Sequence, residues 1–95
     1  MSEFPPSDEL TSGQANSVHT NAIQGGDLLM WTIYRSPKDY PGKFIARPHS
    51  IRRQIAYRCH LAADDIYQLR NLLPRGLTRI NRDPNDEPQI METWM

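Results

Sequence analysis

The sequence predicts a small α+β protein, with an antiparallel sheet of about five strands in the order β-β-β-α-β-β and one helix on one face. Short segments that alternate apolar and polar residues, rich in β-branched and aromatic types, indicate the strands. One segment near residues 64–73 changes to helical spacing, and turns that contain Pro and Gly separate the elements. The length of 95 residues leaves room for a single domain, which we place at residues 30–95.

Residues 30–35 are the first predicted strand, because Trp31 and Ile33 share one face of a period-two pattern. The next seven residues contain two Pro and one Gly, which favours a tight reversal of the chain. Residues 43–47 are the second predicted strand. Pro48 cannot donate a hydrogen bond to a strand ladder, so we expect it to end this strand.

Residues 54–61 are the third predicted strand, because apolar and polar residues alternate strictly along them. The residues that share one side of it are Ile55, Tyr57, Cys59 and Leu61.

The predicted helix follows this strand, because the spacing of the apolar residues changes there from two to that of a helical stripe. Asp64 and Asp65 lie where carboxylates complement the positive end of the helix dipole, and Pro74 and Gly76 end the helix. The members of the stripe are Ile66, Leu69, Leu72 and Leu73.

A hairpin is predicted at the C-terminus, from residues 77–81 and 89–94 joined by a loop at 82–88. Glu92 lies on one face of its second strand, which predicts a face that is only partly buried. A body of about 66 residues buries roughly 60% of its unfolded surface and is only modestly stable. A homodimer through an edge strand or the bare sheet face is therefore a candidate arrangement.

Residues 1–29 are predicted to form a disordered acidic tail. Residues 1–28 contain four acidic residues and no Lys or Arg, whereas the rest of the chain contains all 11 basic residues. The few large apolar residues of this segment cannot offset roughly 1–2 kcal/mol of backbone entropy per residue. Two alternatives stay open: Met30 is the true start of the protein, or the acidic segment covers the basic body or recruits a partner.

The single Cys59 excludes an intramolecular disulfide, so a cytoplasmic location is the default expectation. We interpret this thiol as a small buried hydrophobic group. No stretch approaches the roughly 20 consecutive apolar residues of a membrane-spanning helix, and residues 1–29 lack the basic and apolar regions of a signal peptide. The sequence therefore predicts no membrane association.

Two sets of residues resemble the opening and the ending of small uncharacterised proteins from bacterial and phage genomes. The opening set is Trp31-Thr32-Ile33-Tyr34, Pro37, Asp39-Tyr40-Pro41, Phe44 and Ala46-Arg47. The ending set is Leu69-Arg70, Leu73-Pro74, Gly76-Leu77, Arg79, Arg82, Asp86, Pro88-Gln89-Ile90 and Glu92-Thr93-Trp94. The similar proteins often begin at the equivalent of Met30 and have a variable middle where this chain has arginine-rich residues 47–58. The resemblance implies no activity, cofactor or catalytic residue.

The sequence contains no pattern typical of a catalytic, cofactor-binding or metal site. Its candidate metal ligands are too few and lack the short paired spacings of zinc sites. They are His19, His49, Cys59 and His60. No Gly-rich phosphate-binding motif occurs, and the acidic Asp83, Asp86 and Glu87 are interpreted as a solvated hairpin loop. We therefore predict a non-enzymatic protein without a cofactor.

The clearest charge signal is the basic segment 43–58, because no acidic residue occurs between Asp39 and Asp64. Arg forks onto phosphate and stacks on planar groups, so this segment is a candidate surface for an anionic partner. A nucleic-acid-binding accessory protein is therefore the alternative function, although the pI of about 6.8 is low for that class. Arginines that only keep a strand face soluble are the other interpretation. The basic residues are Lys43, Arg47, Arg52, Arg53 and Arg58.

The function that we favour is binding to another protein, as a small interaction or accessory module of phage or bacterial type. Half-exposed aromatic residues and arginines have the composition of interface anchors. The candidate interface aromatics are Tyr34, Tyr40 and Tyr57, whereas Trp31 and Trp94 are interpreted as core residues.

Overall fold

The computed structural model describes residues 8–38, 40–80 and 90–95 of the chain. Within these residues it contains seven strands and two helices. In chain order they are β1 (Asp8–Glu9), α1 (Ser12–Gln24), β2 (Leu29–Arg35), β3 (Phe44–Ser50), β4 (Ile55–Ala56), β5 (Cys59–Ala63), α2 (Ile66–Leu72), β6 (Arg79–Ile80) and β7 (Ile90–Trp94).

The strands form one sheet in the order β1-β5-β3-β2-β7-β6, with β4 paired to the end of β3. β1 runs parallel to β5, and the other described pairs are antiparallel. The predicted α+β class is confirmed. The predicted single helix and about five strands are too few, because β1 and α1 form within the predicted tail and the predicted third strand is divided.

The core lies between one face of the sheet and the two helices. The period-two pattern of the first predicted strand is confirmed, because Trp31 and Ile33 of β2 are both fully buried. These two side chains pack with small and aliphatic residues of β3, β5 and both helices. The buried members of this core are Ala15, Trp31, Ile33, Ala46, Leu61, Leu69 and Leu73.

Pro48 lies inside β3 rather than beyond its end, so the predicted boundary of the second strand is wrong. Its carbonyl accepts the backbone N–H of Tyr57 at 2.9 Å, on the side of β3 that faces away from β2. Because backbone groups alternate in direction along a strand, the N–H that Pro lacks is not one that the β2–β3 ladder needs. The strand therefore continues to Ser50.

The predicted third strand is divided into β4 and β5, so its alternating residues do not share one buried face. Ile55 is 49% exposed, whereas Leu61 is fully buried. The division occurs at Tyr57, whose backbone N–H bonds to β3 and whose hydroxyl donates to Asp27 at 2.8 Å. After Tyr57 the register with β3 changes, because His49 pairs with Ala56 of β4 whereas Ala46 pairs with Leu61 of β5.

The predicted helix is confirmed as α2, in a shorter form. Asp65 is its N-cap, and its side chain accepts the backbone N–H of Gln68 at 2.8 Å. Leu69 and Leu73 are buried in the core, but Leu73 already has extended backbone because Pro74 follows it. Neither helix within the described residues has the length and the apolar character that a membrane-spanning helix requires.

Residues 8–29 were predicted to be part of a disordered tail, but the structure places β1 and α1 there. A capping box starts α1. The Thr11 side chain accepts the backbone N–H of Gln14 at 3.2 Å, and the Gln14 side chain accepts the N–H of Thr11 at 2.8 Å. Residues 1–7 lie outside the described residues.

Small and polar contacts attach α1 to the core. Ala15 is fully buried, and the indole N–H of Trp31 donates to Nδ1 of His19 at 3.1 Å. This bond requires a neutral imidazole, and burial lowers the pKa of His19. Because one alanine and one histidine supply these contacts, the scarcity of large apolar residues in this segment wrongly suggested disorder for α1.

The predicted C-terminal hairpin is confirmed in its two strands, because β6 and β7 pair in antiparallel fashion. Residues 81–89, which include the predicted acidic loop with Asp83, Asp86 and Glu87, lie outside the described residues.

Glu92 of β7 is buried, although its position predicted a partly exposed face. Nε of Arg70 donates to its Oε1 at 3.0 Å, and a second bond joins Arg70 Nη2 to Oε2. The Trp94 indole N–H donates to Oε1 at 3.0 Å, and Arg79 lies 3.4 Å from Oε2. Burial by itself would raise the pKa of Glu92, but the bonds from Arg70 and Trp94 outweigh it and lower that pKa.

Removal of residues 1–26, which keeps Asp27, is expected to lower the free energy of unfolding by at least about 2 kcal/mol, the scale of uncovering one large buried side chain. The reason is that α1 covers Trp31 through Ala15 and His19. Urea unfolding followed by tryptophan fluorescence measures the loss. Ala15→Asp should reproduce much of it, whereas Ser17→Asp on the exposed side of α1 should not. Equal stability of the full and shortened chains would show that α1 is not docked.

Candidate functional site

The basic residues predicted to bind an anionic partner do not form one exposed patch. Arg47 is only 4% exposed, and its Nε donates to the backbone carbonyl of Tyr57 at 3.0 Å. Its assignment to an exposed surface is therefore corrected. The position of Arg47 in the middle of β3, directly opposite Thr32 of β2, places it inside the sheet.

Two other members of the predicted basic surface are engaged in ion pairs. Lys43 bonds to Asp64, and Arg53 lies 3.1 Å from Asp27. Arg52 and Arg58 are exposed, and neither has an ion-pair partner in the part of the chain that the structure describes. A partner with several phosphates would therefore meet two available guanidinium groups rather than five basic side chains.

Asp27, between α1 and β2, holds the β3–β4 turn and the segment after it. Its carboxylate accepts hydrogen bonds from Ser50 Oγ at 2.7 Å, from Tyr57 Oη at 2.8 Å and from Arg53 Nη2 at 3.1 Å. The bonds from Ser50 and Tyr57 contribute most to lowering the pKa of Asp27 to about 2. Arg53 and Tyr57, two predicted site residues, thus hold the fold together.

The three candidate interface aromatics lie in different surroundings. Tyr57 bonds to Asp27, and the ring of Tyr40 packs on His60 with ring centroids 4.9 Å apart. Tyr34 lies on the face of β2 opposite Trp31, and its hydroxyl is 3.4 Å from Nε2 of His49. Tyr34 is therefore the one of the three that lies in the groove described next.

A groove of about 690 Å³ lies on the face of the sheet that the helices leave uncovered. The strands β2, β3 and β7 and the β3–β4 turn form it, and we name it the open-face groove. Its lining residues are Met30, Thr32, Tyr34, His49, Ser50, Ile51, Gln54, Ile90, Thr93 and Met95.

The strand pattern of β2 creates this groove. Because side chains alternate across a strand, burying Trp31 and Ile33 against the helices turns Met30, Thr32 and Tyr34 to the opposite face. Thr93 of β7 lies directly opposite Thr32, which widens the surface across two strands.

The turn after β3 closes one end of the groove. Gln54 has φ 55°, in the left-handed region that non-glycine residues rarely adopt, and its backbone N–H donates to Ser50 at 2.8 Å. This conformation completes the tight reversal between β3 and β4, and Ile51 and Gln54 then border the groove.

Among the described residues, no formally charged side chain lines the open-face groove. Burial, and next the neighbouring Arg47 guanidinium, lower the pKa of His49, so its imidazole is neutral near pH 7. Tyr34, His49, Thr32 and Thr93 supply hydrogen-bonding groups among aliphatic and thioether side chains. The groove can therefore bind an uncharged, largely apolar group and offer it a few hydrogen bonds.

Sequence reasoning missed most of this groove and one exposed aromatic residue. The alternation of Met30, Thr32 and Tyr34 along β2 indicates that they share one face, but it does not indicate that the helices leave this face uncovered. Tyr67 of α2 is 71% exposed, and the Arg70 guanidinium lies 5.5 Å from its ring centroid. The position of Tyr67 outside the apolar stripe of α2 was the sequence feature that indicated its exposure.

Within residues 8–38, 40–80 and 90–95, no group of three or more His, Cys, Asp and Glu side chains could hold a metal ion. Cys59 is half-buried, and burial raises the pKa of its thiol. Comparison with known proteins finds no matching family model, no matching curated protein and no matching solved structure. The resemblance to small bacterial and phage proteins stays a prediction.

Asp27 is expected to titrate at about 2 in the folded protein, well below its ordinary value of 3.8. Because the folded pKa is depressed, its stabilising contribution is complete above the ordinary value and is lost as the pH falls through about 2. Carboxyl-carbon NMR measures the titration directly, and Tyr57→Phe should raise the pKa by removing one donor. An Asp27 that titrates at its ordinary value would contradict the hydrogen-bonded arrangement.

Proposed function

We propose that the protein is a small, non-enzymatic interaction module that binds an apolar segment of another protein in the open-face groove. One observation carries the proposal: a concave surface, on a sheet face that neither helix covers, whose described lining contains no formally charged side chain. Its volume of about 690 Å³ is within the range of about 300–1,000 Å³ that is typical of binding clefts.

Exposed apolar side chains at this groove support binding. Met95 is 42% exposed and Ile51 is 36% exposed, and both border the groove with Met30. Removing such apolar surface from water favours association. Methionine side chains are flexible and polarizable, which suits a surface that adapts to a partner's side chains.

The absence of charged side chains from the described part of the lining indicates the chemistry of the partner. A charged side chain placed in this groove would lose hydration without gaining an opposite charge, which is unfavourable. An anchor of Leu, Met or Phe type has no charge whose hydration would be lost. A backbone amide beside it could bond to Tyr34 or His49. We therefore expect an uncharged, apolar anchor segment.

A peptide selection tests this proposal. A displayed library of random peptides is selected on the full chain, and the peptides obtained are synthesised with blocked termini. We expect uncharged apolar anchors, methyl NMR shifts at Met30 and Met95, and an affinity at least about tenfold lower for Thr93→Glu. The reason is that Thr93→Glu places an unpaired carboxylate in the groove.

Ile23→Glu is the matched control, because Ile23 is 42% exposed on α1, on the other side of the sheet. It should leave the affinity unchanged within about twofold. Selected peptides that bind both variants equally would overturn the proposal. Concentration-dependent dimerisation that Thr93→Glu abolishes would instead assign the groove to a second copy of the chain.

Nucleic-acid binding is the second candidate, favoured by the exposure of Arg52 and Arg58. Each phosphate neutralised on duplex DNA contributes about −0.9 to the slope of log affinity against log salt. Because Lys43, Arg47 and Arg53 are engaged within the fold, we expect the predicted basic segment to contribute no more than about −2 to the slope of any DNA binding, through Arg52 and Arg58. Titrations at several salt concentrations measure the slope, and Arg52→Ser with Arg58→Ser should remove that contribution. An unchanged slope in the double variant would contradict a role for this segment in DNA binding.

A further inference from the structure

The outer edge of β5 is only partly covered. On its inner side, residues 61–63 of β5 pair with β3. On its outer side, β1 pairs with Cys59 and His60 alone. In the described part of the chain, no strand lies beside residues 61–63 on that outer side.

The backbone groups of Ala62 point toward this uncovered edge. The carbonyls of Arg58 and His60 accept the N–H groups of Asp8 and Leu10, at 3.1 and 2.7 Å. Backbone direction repeats at every second residue of a strand, so the N–H and carbonyl of Ala62 face the same side. The chain enters α1 directly after β1, and the line of β1 therefore ends before it reaches Ala62.

This edge opens into a groove of about 550 Å³. Ala62 and Ala63 form its floor, Gln68 and Asn71 of α2 line one part, and Tyr40 lines another. An extended chain beside Ala62 would be flanked by helix and loop, with amide side chains within the same groove. A concave edge of this kind suits the addition of a strand better than a flat one.

The groove also has a charge preference. Among the described lining residues, Glu9 and Asp64 carry carboxylates, whereas Lys43 alone carries an ammonium group. The hydrogen bond from Lys43 to Asp64 raises the pKa of Lys43, and Glu9 adds to this effect. Because Asp64 is 74% exposed, it is accessible to a second cation.

We infer that this edge binds an extended, basic peptide segment of another protein, which pairs with the backbone of Ala62 as an added strand. The short strand β1 shows that the same edge already accepts a parallel neighbour at Cys59 and His60. The carboxylates of Glu9 and Asp64 favour Lys or Arg side chains on the incoming strand. This surface is separate from the open-face groove, because β3 lies between β5 and β2.

The test uses an acetylated and amidated peptide of alternating Val and Lys, with a peptide of alternating Val and Glu as its charge-reversed control. Amide hydrogen exchange of the full chain is followed by NMR. The Val-Lys peptide is expected to slow the exchange of the Ala62 amide by at least about tenfold, because that N–H becomes hydrogen-bonded. The Val-Glu peptide should not slow it.

Matched variants separate strand addition from general attraction of a cation. Glu9→Gln with Asp64→Asn should weaken binding of the Val-Lys peptide by about fivefold or more. Asp65→Asn removes the same type of charge next to the groove and keeps the N-cap of α2, so it should change the affinity by less than about twofold.

Three results would overturn the inference. The first is a Val-Lys peptide that leaves the Ala62 amide unprotected. The second is an equal loss of affinity for the Asp65→Asn control and the double variant. The third is protection of Ala62 that increases with protein concentration in the absence of peptide, which would assign the edge to a second copy of this chain.

Discussion

Burial of the Trp31 indole at the centre of the sheet is the constraint on which the rest of the structure depends. Its ring lies between the sheet and α1, and its N–H is satisfied by His19. A strand that turns Trp31 and Ile33 inward must turn Met30 and Tyr34 outward. Since both helices pack on the Trp31 side, neither helix covers the opposite side, and the open-face groove lies there as a consequence of how the core is built.

Two carboxylates bind three of the arginines within the described residues. Asp27 joins the end of β3 to the start of β2 and binds Arg53. Glu92 joins β7 to α2 and β6 by binding Arg70 and Arg79. Because Glu92 is buried, its charge needs these donors, so Arg70 and Arg79 stabilise the fold. A count of arginines in the sequence does not distinguish these paired side chains from those that only face solvent.

The predictable part of the fold is the part that local periodicity encodes. The alternation in β2 and the apolar stripe of α2 predicted their elements, because each pattern is complete within one segment. α1 escaped prediction because Ala15 becomes a core residue and His19 a hydrogen-bond acceptor only beside Trp31. The division of the third strand is a change in its register with β3, which local alternation does not encode. Prediction of the open-face groove likewise requires knowing which side of the sheet the two helices occupy.

The two proposed surfaces differ in the physical force that each would use. No charged side chain occurs in the described lining of the open-face groove, so its contacts depend on apolar burial, which salt at moderate concentration does not screen. The edge of β5 carries Glu9, Lys43 and Asp64, so the attraction of a basic strand falls as ionic strength rises. β3 forms part of the open-face groove and pairs with the inner side of β5. A protein partner that binds at low salt and dissociates at high salt is therefore assigned to the edge of β5, and one that stays bound at both is assigned to the open-face groove.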